Sequence, residues 1–409
     1  VCDDSVAAVQ RGRPMVLRRG RGYAPRPLAL PVASPRPILA AGPEMKTAVC
    51  LVRGREAFVS QHIGDLRNAL AAGYFETTIE KLERLLEIAP AAVAHDLHPG
   101  YLSTRYARRR AATGGVRLIG VQHHHAHAAS VMAECGLDGE VLALVMDGTG
   151  YGPDGTVWGG EVLRASAAAF ERLGHLAYVP LPGGDAAVEH PVRTAWALLV
   201  GAYGAEAAED HRVGLLASDL ARDRHLWTEM ITRRVNSPRA CGLGRLFDGA
   251  SVLAGVCAES TYEGQAAMEL EAAAAVAGEA EPYEFALRDM LADDPDGAAG
   301  WVIETAPAVR GLVADMHAGR GAAHAAARFH ATVAAMLRAA ARRARDETRL
   351  GRIVLSGGCF ANARLVGLLA PALESDGFDV YVHAEVPPGD GGVALGQAYV
   401  AAARLAAEA

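Results

Sequence analysis

The chain has 409 residues, of which 51% are apolar, 21% charged and 6% aromatic; 40 Lys and Arg against 47 Asp and Glu give a formal charge of −7. That composition excludes disordered and collagen-like classes, and the charge excludes a general polyanion binder, so no nucleic-acid partner is expected. No apolar run approaches the roughly 18 residues of a membrane span, so no membrane segment is expected either. The six cysteines (Cys2, Cys50, Cys135, Cys241, Cys257, Cys359) stand singly with no Cys-x-x-Cys pair. They read as reduced thiols of a cytoplasmic enzyme rather than a disulfide framework or a zinc ribbon. The first residue is Val and no signal-like segment follows, so a fragment is expected rather than an exported precursor.

In chain order, residues 1–44 interleave arginines (Arg11, Arg13, Arg18, Arg19, Arg21, Arg26, Arg36) with prolines, the texture of a linker preceded by a strand or two. From Met45 the pattern becomes α/β. Alternation on both sides of Arg53-Gly54-Arg55 predicts a hairpin, and helical patterning runs from Gly64 to about Ile88. A strand leads into VAHDLHPGYLST, VRLIGVQ (116–122) is a further strand, and HHHAHAASVMAEC is a helix ending at Gly136. A second strand, Gly-rich turn and strand at 140–163 repeats the first hairpin in pattern only. Residues 190–240 and 262–278 read as helical, and 320–346 as one long amphipathic helix. Strand, glycine turn and helix then recur in GRIVLSGGCFANARL and in VYVHAEVPPGDGGVALGQAYV.

Four of the 15 histidines fall within five positions, at His123, His124, His125 and His127. On a helix, His123 and His127 share one face and can aim two imidazoles at one metal ion. His124 and His125 point elsewhere, toward an outer shell or the surface. Asp147 in VMDGTG and Asp390 in PPGDGG adjoin strand ends and glycines, so they are the expected additional ligands; each Asp-Gly taken alone is also an ordinary turn. Two imidazoles and two carboxylates suit Zn²⁺ or Fe²⁺ equally. Glycine-rich turns at 147–150, 181–185, 356–358 and 389–392 offer backbone N–H groups for phosphate, although no Walker loop is present. Cys359 reads as a small packed residue rather than a nucleophile, and no G-x-S-x-G elbow occurs.

The strings SQHIGDL (60–66), DLHPGYLSTRYA (96–107), VQHHHAHAAS (121–130), DGTGYGPDGTVWGGE (147–161), LPGGDAA (181–187), TYEGQAAMELE (261–271), LSGGCFAN (355–362) and GDGGVALGQA (389–398) together resemble the C-terminal part of the HypF family of hydrogenase-maturation carbamoyltransferases. DDSV (3–6) and LRRGRGYAP (17–25) resemble the tail of the YrdC-like domain that precedes this region there. The resemblance implies an ASKHA-type (actin/hexokinase-like) fold similar to the TsaD family, with two related α/β halves around a nucleotide and metal cleft. It divides the chain into a YrdC-like remnant and linker (1–44), a first half (45–140) and a second half with helical insertions (141–409).

The implied activity transfers the carbamoyl group of carbamoyl-adenylate, itself made from carbamoyl phosphate and ATP, to the C-terminal cysteine of a HypE-type acceptor. The implied metal ligands are His123, His127, Asp147 and Asp390. The implied nucleotide contacts are Lys46, Gly148, Thr149, Gly183, Gly184, Asp185, Glu263, Gly264, Gly357, Gly358 and Asn362. Lys46 is followed by Thr47-Ala48 where the family has Asn-Thr, and Pro191-Val192-Arg193 replaces Pro-Trp-Arg. Acylphosphatase and zinc-finger segments are absent, so this chain alone is not expected to make carbamoyl-adenylate efficiently. A small-molecule O-carbamoyltransferase of the antibiotic-tailoring type, with a hydroxyl acceptor, is the alternative.

Overall fold

The computed structural model describes residues 2–218, 222–291 and 300–409. The arginine-rich start folds as a short hairpin, β1 (Val6–Gln10) and β2 (Arg13–Arg18). There follow β3 (Pro27–Ala29), β4 (Ile38–Ala40), β5 (Cys50–Arg53), β6 (Glu56–Val59), α1 (Ala69–Leu86), β7 (Ala92–Asp96), α2 (Leu102–Gly114), β8 (Arg117–Val121) and α3 (His123–Glu134). The second part opens with β9 (Val141–Tyr151), β10 (Val157–Ala165), β11 (Phe170–Leu176) and β12 (Val179–Pro180). A largely helical stretch continues through α4 (Asp185–Glu189), α5 (Pro191–Tyr203), α6 (Arg224–Arg233), β13 (Arg239–Ala240), α7 (Leu243–Leu253) and α8 (Gln265–Ala277). Then come β14 (Ala286–Asp289), β15 (Trp301–Glu304), α9 (Ala306–His317), α10 (Ala322–Thr348), β16 (Arg352–Ser356), α11 (Ala363–Ser375), β17 (Asp379–Tyr381) and α12 (Val393–Ala407). Within the stretch expected to be helical from 190 to 240, residues 219–221 lie outside the described residues.

Two sheets carry the fold, and they share one topology. In the six-stranded sheet β4 is the pivot: antiparallel β5 and then β6 lie on one side, parallel β7 and then β8 on the other. In the nine-stranded sheet β9 is the pivot, with antiparallel β10 and β11 on one side and parallel β16 and β17 on the other. Strands buried on both faces read as unbroken apolar runs, which Val141–Met146 and Ile353–Leu355 are.

The repeat is thus real but displaced by one strand from the expected hairpin match: β9–β10 corresponds to β4–β5, not to β5–β6. The stretch expected to be linker contains that pivot, because Ile38–Ala40 is fully buried and pairs on both edges. Pro35 and Pro37 lie just before β4, where a missing N–H costs no ladder bond.

Each sheet ends in a helix that returns to the cleft: α3 follows β8, and α12 follows β17. The two helices pack on each other closely enough that a β-carbon on Gly396 would meet the carbonyl oxygen of Ala126 at 1.8 Å. Both begin at the cleft, which brings His123 and Asp390 to one place.

Candidate functional site

Helix α3 starts one residue after β8, and the side-chain oxygen of Gln122 caps it by accepting the N–H of His125 at 2.8 Å. Its first turn therefore carries the histidine run. Asp147 follows the apolar part of β9, and Asp390 opens the short turn before α12. One ligand atom from each of His123, His127, Asp147 and Asp390 falls within a 4.8 Å cluster. His123 Nε2 is 3.5 Å from both Asp147 Oδ2 and Asp390 Oδ1, and His127 Nε2 is 3.3 and 3.6 Å from the same two oxygens.

These separations exceed a good hydrogen bond. They match the spacing of about 3.4 Å between neighbouring donors bound tetrahedrally at about 2.1 Å from one ion. The Nε2 atoms of both histidines are buried without a hydrogen-bond partner. Two borderline imidazole nitrogens, both orphaned, and two hard carboxylate oxygens, with Asp390 only half-buried, fit a divalent cation such as Zn²⁺ or Fe²⁺.

The electrostatics agree. Burial alone would lower the His123 imidazole, but Asp96, Asp147 and Asp390 outweigh it and hold it well above its ordinary value. Burial would raise Asp147, and the two imidazoles instead hold it well below the usual carboxylate range; Asp390 is displaced in the same direction. Such a cluster is balanced by positive charge at its centre.

Asp96 is a site residue that the sequence reading did not single out, although its DLHPG string was visible. Its carboxylate is fully buried and lies 2.7 Å from His123 Nδ1, while its other oxygen accepts the N–H of His98 at 2.9 Å. Holding Nδ1 as the protonated nitrogen leaves the Nε2 lone pair facing the cluster. His124 and His125 are buried, not on the surface. His124 Nδ1 meets Gln122 Nε2 at 3.1 Å, and His125 Nε2 meets the carbonyl of Ser166 at 2.7 Å. Burial pushes them down to about 3 and about 4, so both are neutral packing residues.

The Asp147–Gly150 segment is not the turn that was expected. It stays in β9, whose pairing to β10 slips beside it, and the chain reverses at 152–156. Its glycines serve close approach: a β-carbon on Gly150 would stand 2.5 Å from the His124 ring. Thr149 is exposed beside them. At the end of the neighbouring strand β16, Gly357 has φ +101°, and a β-carbon there would meet the Met146 carbonyl oxygen at 2.2 Å. Gly358 donates its N–H to Asp147 Oδ1 at 3.2 Å, joining a glycine turn directly to the carboxylate cluster.

Lys46 Nζ pairs with Glu263 Oε1 at 3.1 Å, linking the first half to the residue before Gly264, which adopts φ +78° at the start of α8. Burial would lower this ammonium, but Glu263, Asp390 and Asp147 raise it. Gly183 and Gly184, both at positive φ, turn the chain into α4, whose first residue is Asp185. The charge of Asp185 reaches Arg67 and His98 of the first half. Asn362 has a structural engagement: its Oδ1 caps α11 through the Leu365 N–H, and its Nδ2 meets His330 Nε2 at 3.0 Å. Val192 stands in place of an aromatic, yet Arg193 still lies over an indole, that of Trp227, at 5.4 Å. Burial first, and then Asp147, pushes the Cys359 thiol far up, which leaves it un-ionised.

Comparison with known proteins agrees with this architecture. A family model for the HypF Kae1-like domain matches residues 33–134, and one described as carbamoyltransferase, Kae1-like domain, second subdomain matches 143–397. A HypF homolog from Cupriavidus necator is 38% identical over 391 residues, covering 92% of this chain and 94% of that protein. The chain belongs to the HypF carbamoyltransferase family.

HypF2 of the same organism is 40% identical over 429 residues, covering 98% of this chain and 51% of its own length. The chain therefore spans about half the length of most HypF relatives it matches. A crystal structure of full-length HypF in its phosphate- and nucleotide-bound form matches with a TM-score of 0.90 at 39% identity, covering 99% of this chain and 61% of that one. The HypF of T. kodakarensis matches with a TM-score of 0.87 at 30% identity, covering all of this chain and 52% of that one. The first of the two family models falls largely on the six-stranded sheet and the second on the nine-stranded sheet. Among the described residues no helix is long and apolar enough to cross a membrane.

Proposed function

We propose that this chain is the transfer unit of a HypF-type carbamoyltransferase in the cytoplasmic maturation of [NiFe] hydrogenase. It takes the carbamoyl group from carbamoyl-adenylate, formed from carbamoyl phosphate and ATP, to the C-terminal cysteine of a HypE-type acceptor. The observation that carries this reading is the largely buried His123–His127–Asp147–Asp390 cluster, with both Nε2 atoms unpartnered and Gly358 bonded to Asp147. The division into a segment before the first half, a first half to about residue 140 and a second half beyond it belongs to the same reading.

His123, His127, Asp147 and Asp390 would hold a divalent cation. Such an ion supplies Lewis-acid polarisation of a phosphate or carbonyl oxygen. Asp96 fixes the His123 tautomer, so one imidazole lone pair is always presented. Gly148, Thr149, Gly183, Gly184, Gly264, Gly357 and Gly358 line the turns and strand ends where phosphate and ribose fit, with Asp185 and Glu263 as hydroxyl acceptors and Lys46 as a cation beside Asp390. Asn362 belongs to this set through the position of its turn. A thiolate from the acceptor attacks the carbonyl carbon; the C–S bond forms, the C–O bond to phosphate breaks and AMP leaves. The un-ionised Cys359 is consistent with a nucleophile brought by the partner.

The test replaces His127→Ala and Asp147→Asn, then measures bound metal and carbamoylation of the acceptor supplied with carbamoyl-adenylate. Both substitutions are expected to lower metal content and to slow transfer about 100-fold or more. Full transfer by metal-free protein would overturn the reading. Carbamoylation of a small hydroxyl acceptor in place of the thiol would favour the antibiotic-tailoring type.

A further inference from the structure

One buried cation near the cluster has no part in the function described so far. Helix α7 begins within Cys241-Gly242-Leu243-Gly244-Arg245, and its two glycines press the first turn against β9. A β-carbon on Gly242 would meet the Gly148 carbonyl oxygen at 2.0 Å, and one on Gly244 would meet Gly148 Cα at 2.8 Å. Arg245, third residue of the helix, is only 7% exposed. Its Nη2 pairs with Asp248 Oδ2 at 2.9 Å, whereas Nε and Nη1 are buried with no hydrogen-bond partner. The guanidinium lies over Gly148, since a β-carbon there would stand 3.4 Å from Nη2. On the facing glycine turn, Cys359 is near enough to feel both Asp147 and Arg245.

Structural duty alone accounts poorly for this residue. A buried guanidinium with two unfilled donors is costly, and an apolar side chain of similar size would pack there at less expense. It also sits in the first turn, at the positive end of the helix dipole, where a cation is disfavoured. Asp248 compensates only in part, because burial pushes its own carboxyl up while Arg245 pulls it down. An anionic oxygen arriving beside Gly148 would satisfy the guanidinium and would lie at the positive end of the helix dipole.

We infer that Arg245 contacts the substrate, receiving a phosphate oxygen of the nucleotide at Gly148. This deepens the proposed function and rests on its carbamoyl-adenylate reading. When the acceptor thiolate forms the C–S bond and the C–O bond to phosphorus breaks, the phosphate charge rises from one negative charge in the adenylate to two in AMP. Arg245 and the start of α7 face that added charge, so the site selects a phosphorylated nucleoside and eases its departure.

The test uses AMP and adenosine as probes of the 409-residue chain, with affinity read by calorimetry and metal content measured alongside. Arg245→Gln is expected to weaken AMP about 10- to 100-fold, the loss of a charged hydrogen bond, while adenosine affinity stays within about 2-fold and metal content is unchanged. If Arg245→Gln does not fold, Arg245→Lys, which keeps the charge at shorter reach, is expected to lower the AMP-to-adenosine preference about 5-fold. An unchanged preference in a folded variant, or equal loss of both ligands, overturns the role of Arg245 and leaves the function reading standing. Failure of the unsubstituted, metal-loaded chain to bind either ligand overturns that reading and this inference with it.

Discussion

The two halves use one sheet topology for unequal purposes. In the first, the connection from pivot β4 through β5 and β6 to β7 is compact, and its terminal helix α3 delivers two imidazoles. In the second, the matching connection between β11 and β16 is long and holds α4–α10, and its terminal helix α12 is preceded by a carboxylate. Asp185, Arg245 and Glu263 all lie in that insertion. The shared topology thus makes a symmetric cradle where two helix starts meet, and the longer connection carries the groups that break the symmetry.

Three perturbations sharpen this contrast. The largest effect is expected where the halves touch: Gly396→Ala drives a methyl group into the Ala126 carbonyl. It should cost about 3 kcal/mol or more, read as a fall in the denaturation midpoint, because backbone rather than a flexible side chain must yield. A midpoint equal to the parent's would show that α3 and α12 slide freely.

Next comes a pH effect centred on the second half. Burial would raise the Glu161 carboxyl, but Arg172 at 2.6 Å outweighs it and brings it down to about 2. A depressed acid stabilises the fold above its unfolded pKa of about 4.3 and loses that contribution as pH falls toward 2. On the order of 3 kcal/mol should therefore disappear across that window in urea titrations. Glu161→Gln should flatten this acid limb, and an unflattened limb would assign it to other groups.

The smallest effect belongs to the first half. Asp96→Asn keeps the shape beside His123 but removes the charge that selects its tautomer. Metal affinity, measured by chelator competition, should fall about 10-fold. Unaltered affinity would mean that Asp96 serves only to hold the His98 backbone.

Much of the site was legible because its chemistry is local. The four-residue spacing of His123 and His127 places both on one face of any helix, and an apolar run ending in Asp147 announces a buried strand with a carboxylate at its edge. Pivot β4 was not legible: three residues among prolines carry too little alternation to register, and only pairing on both edges makes them a strand. Asp147–Gly150 looked like a turn because Asp-Gly usually is one; its glycines answer to histidine rings and a helix start that arrive from distant sequence. Arg245 was hidden because α7 lies between the two stretches that read as helical, and a lone arginine reads as solvated until its burial is known. Asn362 shows the opposite case, a motif residue whose side chain is engaged in capping α11.

The position of β4 has a practical consequence for anyone trimming the protein. A piece begun at Met45, where the α/β pattern first becomes obvious, would discard the strand that both β5 and β7 lean on. The two would be left with bare facing edges across a gap one strand wide, an invitation to foreign pairing and precipitation. Any shortened version should therefore keep at least Pro27 onward, and with it the strand that seats the whole imidazole-bearing half.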